Sequence, residues 1–188
     1  LWAVLAPGAP ERAARLAGMD ASLDHDGNGI YAEQFLAALE SQAFIESDLE
    51  KLIAKGLTLI PAESRLYKAI ADTVSWCRAG KGFSEIRGLI MQHYGSSNFT
   101  DVKMNLSFVT AALLLGNGDF GKSICHAVNF GQDADCTGAT VGAILGIIDP
   151  ESITKRWLAP IGNSLVLNEG ITGIDAPATL DEFTDLVI

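Results

Sequence analysis

Apolar residues recur every three or four positions along most of the chain as far as Pro150, which predicts a succession of amphipathic helices. Pro10 suits the first turn of a helix, and Glu11 to Met19 continues it with Ala13, Ala14, Leu16 and Ala17. Ile30 to Phe44 follows with Phe35, Leu36, Leu39 and Ala43 on one stripe. Ser47-Asp-Leu-Glu50 has the form of a capping box, starting a short helix at Asp48 that Gly56 ends. Leu57-Thr-Leu-Ile60 has the composition of a strand, but no other stretch could pair with it, so it is expected to be a buried connector stopped by Pro61. Ser64 is expected to cap a long helix to Ala79, with Leu66, Ala69, Ile70, Val74 and Cys77 inward and Gly80 at its end. Phe83 to His93 places Ile86, Leu89 and Ile90 on one face.

The second half of the chain is more apolar. Tyr94 to Asp101 reads as a loop. Met104 to Leu115 is apolar nearly all round, the mark of a central buried helix, with Asn105 as a core amide expected to find partners. Asp119 is expected to cap a helix through Val128, with Phe120, Ile124, Ala127 and Val128 inward and His126 off that face, at the surface. After a turn comes an apolar run in which Gly138, Gly142 and Gly146 fall on one helical face, closed by Asp149-Pro150. Each of these glycines costs about 1 kcal/mol in a helix relative to Ala, so the stripe predicts close packing against a neighbouring backbone. Beyond Pro160 the periodicity weakens, and Ile161 to Ala178 is expected to be surface loop before a second capping box at Thr179-Leu-Asp-Glu182. The expected architecture is one all-α domain over residues 1–188, an orthogonal multi-helix body.

Charge narrows the function. Thirteen basic against 23 acidic residues leave a net −10, which argues against non-specific binding to nucleic acid or an anionic membrane. Cys77, Cys125 and Cys136 form neither a metal-ligand spacing nor an even disulfide framework, so reduced thiols in a cytoplasmic protein are expected. No apolar run is long enough for a membrane span, which assigns the glycine stripe to packing between soluble helices.

Candidate chemistry concentrates ahead of the glycine helix, in Gly131-Gln-Asp-Ala-Asp-Cys-Thr137. Asp133 and Asp135 stand at the predicted helix start, where the macrodipole favours negative charge. Two carboxylates on one side of a rigid turn are hard oxygen ligands for Mg2+ or Mn2+. The competing reading is that an Asp here merely caps the helix. A second acidic stretch, Asp24-His-Asp-Gly-Asn-Gly29, imitates the start of a calcium loop, but Phe35 falls where the bidentate Glu should stand.

The segment Gly131-Gln-Asp-Ala-Asp-Cys-Thr-Gly-Ala-Thr-Val-Gly-Ala143 resembles the C-terminal signature of the ADP-ribosylglycohydrolases, in which two Asp and the following Thr or Ser bind a two-metal centre ahead of a small-residue helix. The resemblance implies Asp133 and Asp135 as metal ligands. Cys136 stands at the usual third-ligand position, and a thiol suits a hard cation poorly, so Thr137 or a main-chain carbonyl is the alternative. Ser22-Leu-Asp-His25 resembles the family's Thr/Ser-His loop, which implies His25 at the ADP-ribose pocket, where Gly131 and Cys136 are also expected. Glycine-rich turns and helix N-termini of this kind can hold a pyrophosphate through main-chain amides.

The resemblance implies hydrolysis of a glycosidic bond at the distal ribose of ADP-ribosylated substrates, through an oxocarbenium-like state, with two Mg2+ or Mn2+ ions. It runs from about Ala9 to Pro150 and matches the family's later two-thirds. No Thr-Asp-Asp run, the family's other metal-binding motif, occurs in the chain, and Thr100-Asp101-Val102 lacks the second carboxylate. A fragment or a halved metal centre is therefore expected. The alternative function is a non-catalytic ADP-ribose-binding or structural relative.

Overall fold

The computed structural model describes residues 1–187, which form ten α-helices and one 3-10 turn. The helices are α1 (Pro10–Ala21), α2 (Asn28–Ala43), α3 (Leu49–Leu57), α4 (Arg65–Arg78), α5 (Phe83–Tyr94), α6 (Val102–Gly116), α7 (Phe120–Phe130), α8 (Ala134–Ile148), α9 (Lys155–Leu158) and α10 (Leu180–Val187). Pro150–Ser152 forms the 3-10 turn. The all-α expectation holds: no strand occurs among the described residues, only an isolated bridge between Ser164 and Thr179. None of these helices is long and apolar enough to cross a membrane.

The chain divides into two compact units, Leu1–Ser152 and the residues from Ile153 onward. The larger unit is built round α6, which touches α2, α3, α4, α5, α7 and α8. Eleven of its residues are buried, which is what a helix apolar on every side predicts. Phe35, Phe108 and Phe130 are among the largest fully enclosed side chains, each contributing about 1.5–3 kcal/mol through removal from water. The amide of Asn105 donates to the carbonyls of Phe99 and Asp101, but its Oδ1 has no partner, so the core amide is satisfied on one side only. Helices α1 and α2 pair through a smaller alanine-rich cluster of Ala6, Ala13, Ala17 and Ala37.

Helix starts follow the chemistry of their caps. Ser64 accepts from the Tyr67 amide at 3.1 Å, as expected for α4. The first capping box is shifted: Asp48, not Ser47, is the cap of α3 and accepts from the Glu50 and Lys51 amides. Glu50 is instead engaged by Arg78. The calcium-loop imitation dissolves into the start of α2, because the Asn28 Oδ1 accepts from the Leu66 amide at 3.0 Å and so ties α2 to α4.

The smaller unit contains α9, the loop and α10, and none of its described residues is buried. Thr179 and Glu182 form the reciprocal capping box predicted for α10, with Oγ1 accepting at 3.1 Å and the carboxylate at 3.2 Å.

Candidate metal centre

Helices α7 and α8 pack against each other, and the turn between them carries the candidate ligands. Phe130, the last residue of α7, is fully buried, with its ring stacked on Phe108 at 4.9 Å and on Phe83 at 4.3 Å. Gly131 and Gln132 then both take positive φ, +80° and +61°. Glycine adopts this conformation freely, whereas Gln132 is held there at a cost of about 1–2 kcal/mol. The Gly131 amide donates to Val128 at 3.1 Å and closes the end of α7, so it is already committed.

Asp133 is the N-cap residue of α8 by position, yet its side chain makes no capping hydrogen bond. That separates it from Asp48, Asp101 and Asp119, whose carboxylates all accept main-chain amides at the starts of α3, α6 and α7. Ligand atoms of Asp133, Asp135 and Cys136 lie within 4.8 Å of one another. It is the one group of three such side chains among the described residues. Asp133 is half-buried, while Asp135 and Cys136 are exposed. The Cys136 thiol is pushed up from its ordinary range, chiefly by its hydrogen bond to Asp133, then by burial and by the charges of Asp133 and Asp135. It is therefore a neutral S–H donor at neutral pH. Two hard carboxylates suit Mg2+ or Mn2+, and a protonated thiol does not, so the fit rests on Asp133 and Asp135.

Thr137 is buried and turned inward, its hydroxyl directed at the carbonyls of Ala134 (3.3 Å) and Ala127 (3.5 Å). At Gly138 and Gly142 the stripe meets side chains, not a backbone. A Cβ on Gly138 would lie 3.3 Å from Val128 Cγ2, and one on Gly142 would lie 3.4 Å from Ile124 Cδ1. Val128 is 47% exposed despite its expected inward place, and Phe130 takes the core position instead. His126 is half-buried, stacked on Phe83 at 5.4 Å, where surface was expected.

His25 lines a hollow of about 690 Å³ with Ser22, Asp24, Asp26, Asn98, Thr100 and Lys103, to which neither Asp133 nor Asp135 contributes. Its Nδ1 is 2.5 Å from Asp24 Oδ1, a contact that raises the histidine pKa. Asp101 is committed to capping α6 and to Lys103 at 2.7 Å.

One residue beside the turn escaped the sequence reading. Arg87, on α5, donates from Nε to the Phe130 carbonyl at 3.0 Å. Its local signal is faint: no carboxylate stands three or four positions away to pair with it.

No curated protein and no solved structure matches the chain. The family model of the ADP-ribosylglycohydrolases matches residues 1–185, further in both directions than the motifs alone reach. With an all-α body and the paired acids ahead of the glycine helix, the chain belongs to the ADP-ribosylglycohydrolase family.

Proposed function

We propose that this chain acts in metal-dependent hydrolysis of the glycosidic bond at the distal ribose of ADP-ribosylated substrates. Asp133 and Asp135 are its metal ligands. The observation that carries this reading is the uncommitted Asp133 carboxylate, which caps nothing and lies within ligand distance of Asp135. Thr137 is buried with its hydroxyl directed at the Ala134 and Ala127 carbonyls, so the third oxygen is a main-chain carbonyl, the alternative that the sequence offered. A divalent ion bound there would hold ribose hydroxyls and supply an activated water.

The chain's own residues account for the rest. Asp133 and Asp135 concentrate negative charge where a cation is wanted, and the turn fixes their separation. Cys136 stays protonated beside Asp133 and so does not compete as a ligand. His25, in its separate hollow, would contact a more distant part of an ADP-ribosyl ligand. The reduced cysteines suit a cytoplasmic setting.

The test is release of ADP-ribose from ADP-ribosyl-arginine, ADP-ribosyl-serine and O-acetyl-ADP-ribose, with Mg2+, with Mn2+ and with chelator. Metal-dependent release that Asp133→Asn abolishes supports the reading, and undiminished release by that variant refutes it. A second reading, an ADP-ribose binder without turnover, draws on the presence of a single three-ligand group among the described residues. Calorimetric ADP-ribose binding that is indifferent to metal, with no product, would favour it.

A further inference from the structure

The far end of α8 from the acidic turn carries a second hollow. Asp133 and Asp149 flank the 15 residues of α8, which sets them about 22 Å apart along the helix. Around Asp149, the start of α3 and the ends of α4, α6 and α8 enclose a space of about 560 Å³, within the range of sites that take small organic molecules. Its lining residues all belong to the larger unit, and none is shared with the His25 hollow or the acidic turn.

The hollow has an apolar floor. Leu49, Leu114, Leu145 and Ile148 line it, with the Cys77 thiol among them. Burial first, then the charge of Glu50, pushes that thiol up to about 11, so it stays neutral at neutral pH.

The rim is polar, and its sign is negative. Asp48, Glu50 and Asp149 stand against one cation, Arg78. Arg78 is spent on Glu50, with Nε at 3.0 Å and Nη2 at 2.6 Å from Oε2. Asp48 is spent as well, on the Glu50 and Lys51 amides that open α3, so it covers the positive end of that helix. Asp149 differs. Its main-chain carbonyl accepts from the Ser152 amide and hydroxyl, but its carboxylate has neither hydrogen bond nor ion pair among the described residues.

The main chain adds to the same field. Helices α4, α6 and α8 all end at the hollow, at Arg78, Asn117 and Asp149. A helix C-terminus carries partial negative charge and carbonyls without intrahelical partners. At the end of α8 the Asp149 amide takes the Leu145 carbonyl at 2.9 Å, and no main-chain amide among the described residues meets those of Gly146, Ile147 and Ile148. An anion would face these acceptors with only a paired guanidinium to answer it. A cation with an apolar body complements both the rim and the floor.

We infer that this hollow binds a small organic amine, its apolar body on Leu114, Leu145 and Ile148 and its ammonium donating to the Asp149 carboxylate and to the carbonyls that end α8. The inference stands apart from the metal reading.

The probe is phenethylamine, a cation at neutral pH, with 2-phenylethanol as its neutral counterpart and 3-phenylpropanoate as its anionic one. In calorimetric titration the native chain should bind the amine saturably, at least about tenfold tighter than the alcohol, and the acid not at all. Asp149 is exposed, so Asp149→Asn leaves the core intact and should weaken amine binding about tenfold, the scale of a hydrogen bond to a charged group. Glu151→Gln removes an equal charge two residues away and outside the hollow, and Asp133→Asn does so at the acidic turn; both should bind as the native chain does. Saturating amine should also slow alkylation of Cys77 by N-ethylmaleimide about tenfold, read by peptide mass, and leave Cys125 at its native rate. No saturable binding of the amine, equal affinity for amine and alcohol, or native binding by Asp149→Asn overturns the inference. A loss in Glu151→Gln or Asp133→Asn as large as in Asp149→Asn, or an unprotected Cys77, overturns it too, since the cation would then answer to overall charge or to another site.

Discussion

Helices α7 and α8 lie side by side, each follows a tight turn, and each starts at an aspartate, yet the two aspartates do opposite things. Asp119 turns its carboxylate onto the Lys122 amide at 2.8 Å and satisfies one of the donors that open α7. Asp133 leaves the donors of α8 without a side-chain partner and keeps its carboxylate beside Asp135 and Cys136. The turn before α7 contains a single left-handed non-glycine residue, Asn117, a residue type that tolerates this conformation. The turn before α8 forces Gln132 into it. One turn is locally content. The other trades local stability for the placement of charge, which is the pattern of a functional site.

Cation binding gives the largest separation between them. A site that binds Mn2+ only in the folded chain should add about 2.7 kcal/mol of stability at a hundred times Kd. Urea unfolding with and without Mn2+ should show this gain in the native chain and in Asp119→Ala, and none in Asp133→Asn. An equal gain in all three would erase the distinction. Next comes the cap itself: without metal, Asp119→Ala should cost about 1 kcal/mol in the same unfolding curves. Asp133→Asn, by contrast, should gain a few tenths of a kcal/mol, on the order of a relieved like-charge pair. A loss near 1 kcal/mol there would mean that Asp133 caps after all.

The smallest effect concerns Cys136. Asp133 holds its thiol above the ordinary range by accepting its hydrogen, with the charges of both acids adding to this. Thiolate is the reacting form, so alkylation of Cys136 should need a higher pH than a free thiol does. In Asp133→Asn the pH midpoint of alkylation, followed by peptide mass, should move down, because an amide stabilises the protonated thiol less. An unmoved midpoint would mean that the thiol does not bond to Asp133.

Much of this contrast was legible in the sequence. The caps at Ser64, Asp119 and Thr179 announced themselves because capping is decided within four residues. The all-round apolar stretch after Met104 announced the centre of the fold, and Asp133 and Asp135 stood out by spacing. What was not legible depends on distant partners. Local pattern put Val128 inside, but Phe130, stacked on α5 and α6, took the buried place. It made His126 a surface residue until Phe83 arrived beside it. It could not separate a capping Asp from a free one, since Asp119 and Asp133 look alike until the amides they could accept are located. Family likeness suggested that His25 and the acidic turn belong to one pocket, and the structure puts His25 in a hollow that the two acids do not line.

The most direct measurement is a titration of the native chain with Mn2+, followed by the paramagnetic signal of the free ion, alongside Asp133→Asn and Asp119→Ala. The account predicts saturable binding by the native chain, the same affinity in Asp119→Ala, and loss of at least about a hundredfold in Asp133→Asn, the scale expected when a charged ligand is removed from a hard-cation site. Equal binding by all three, or none by the native chain, would contradict it.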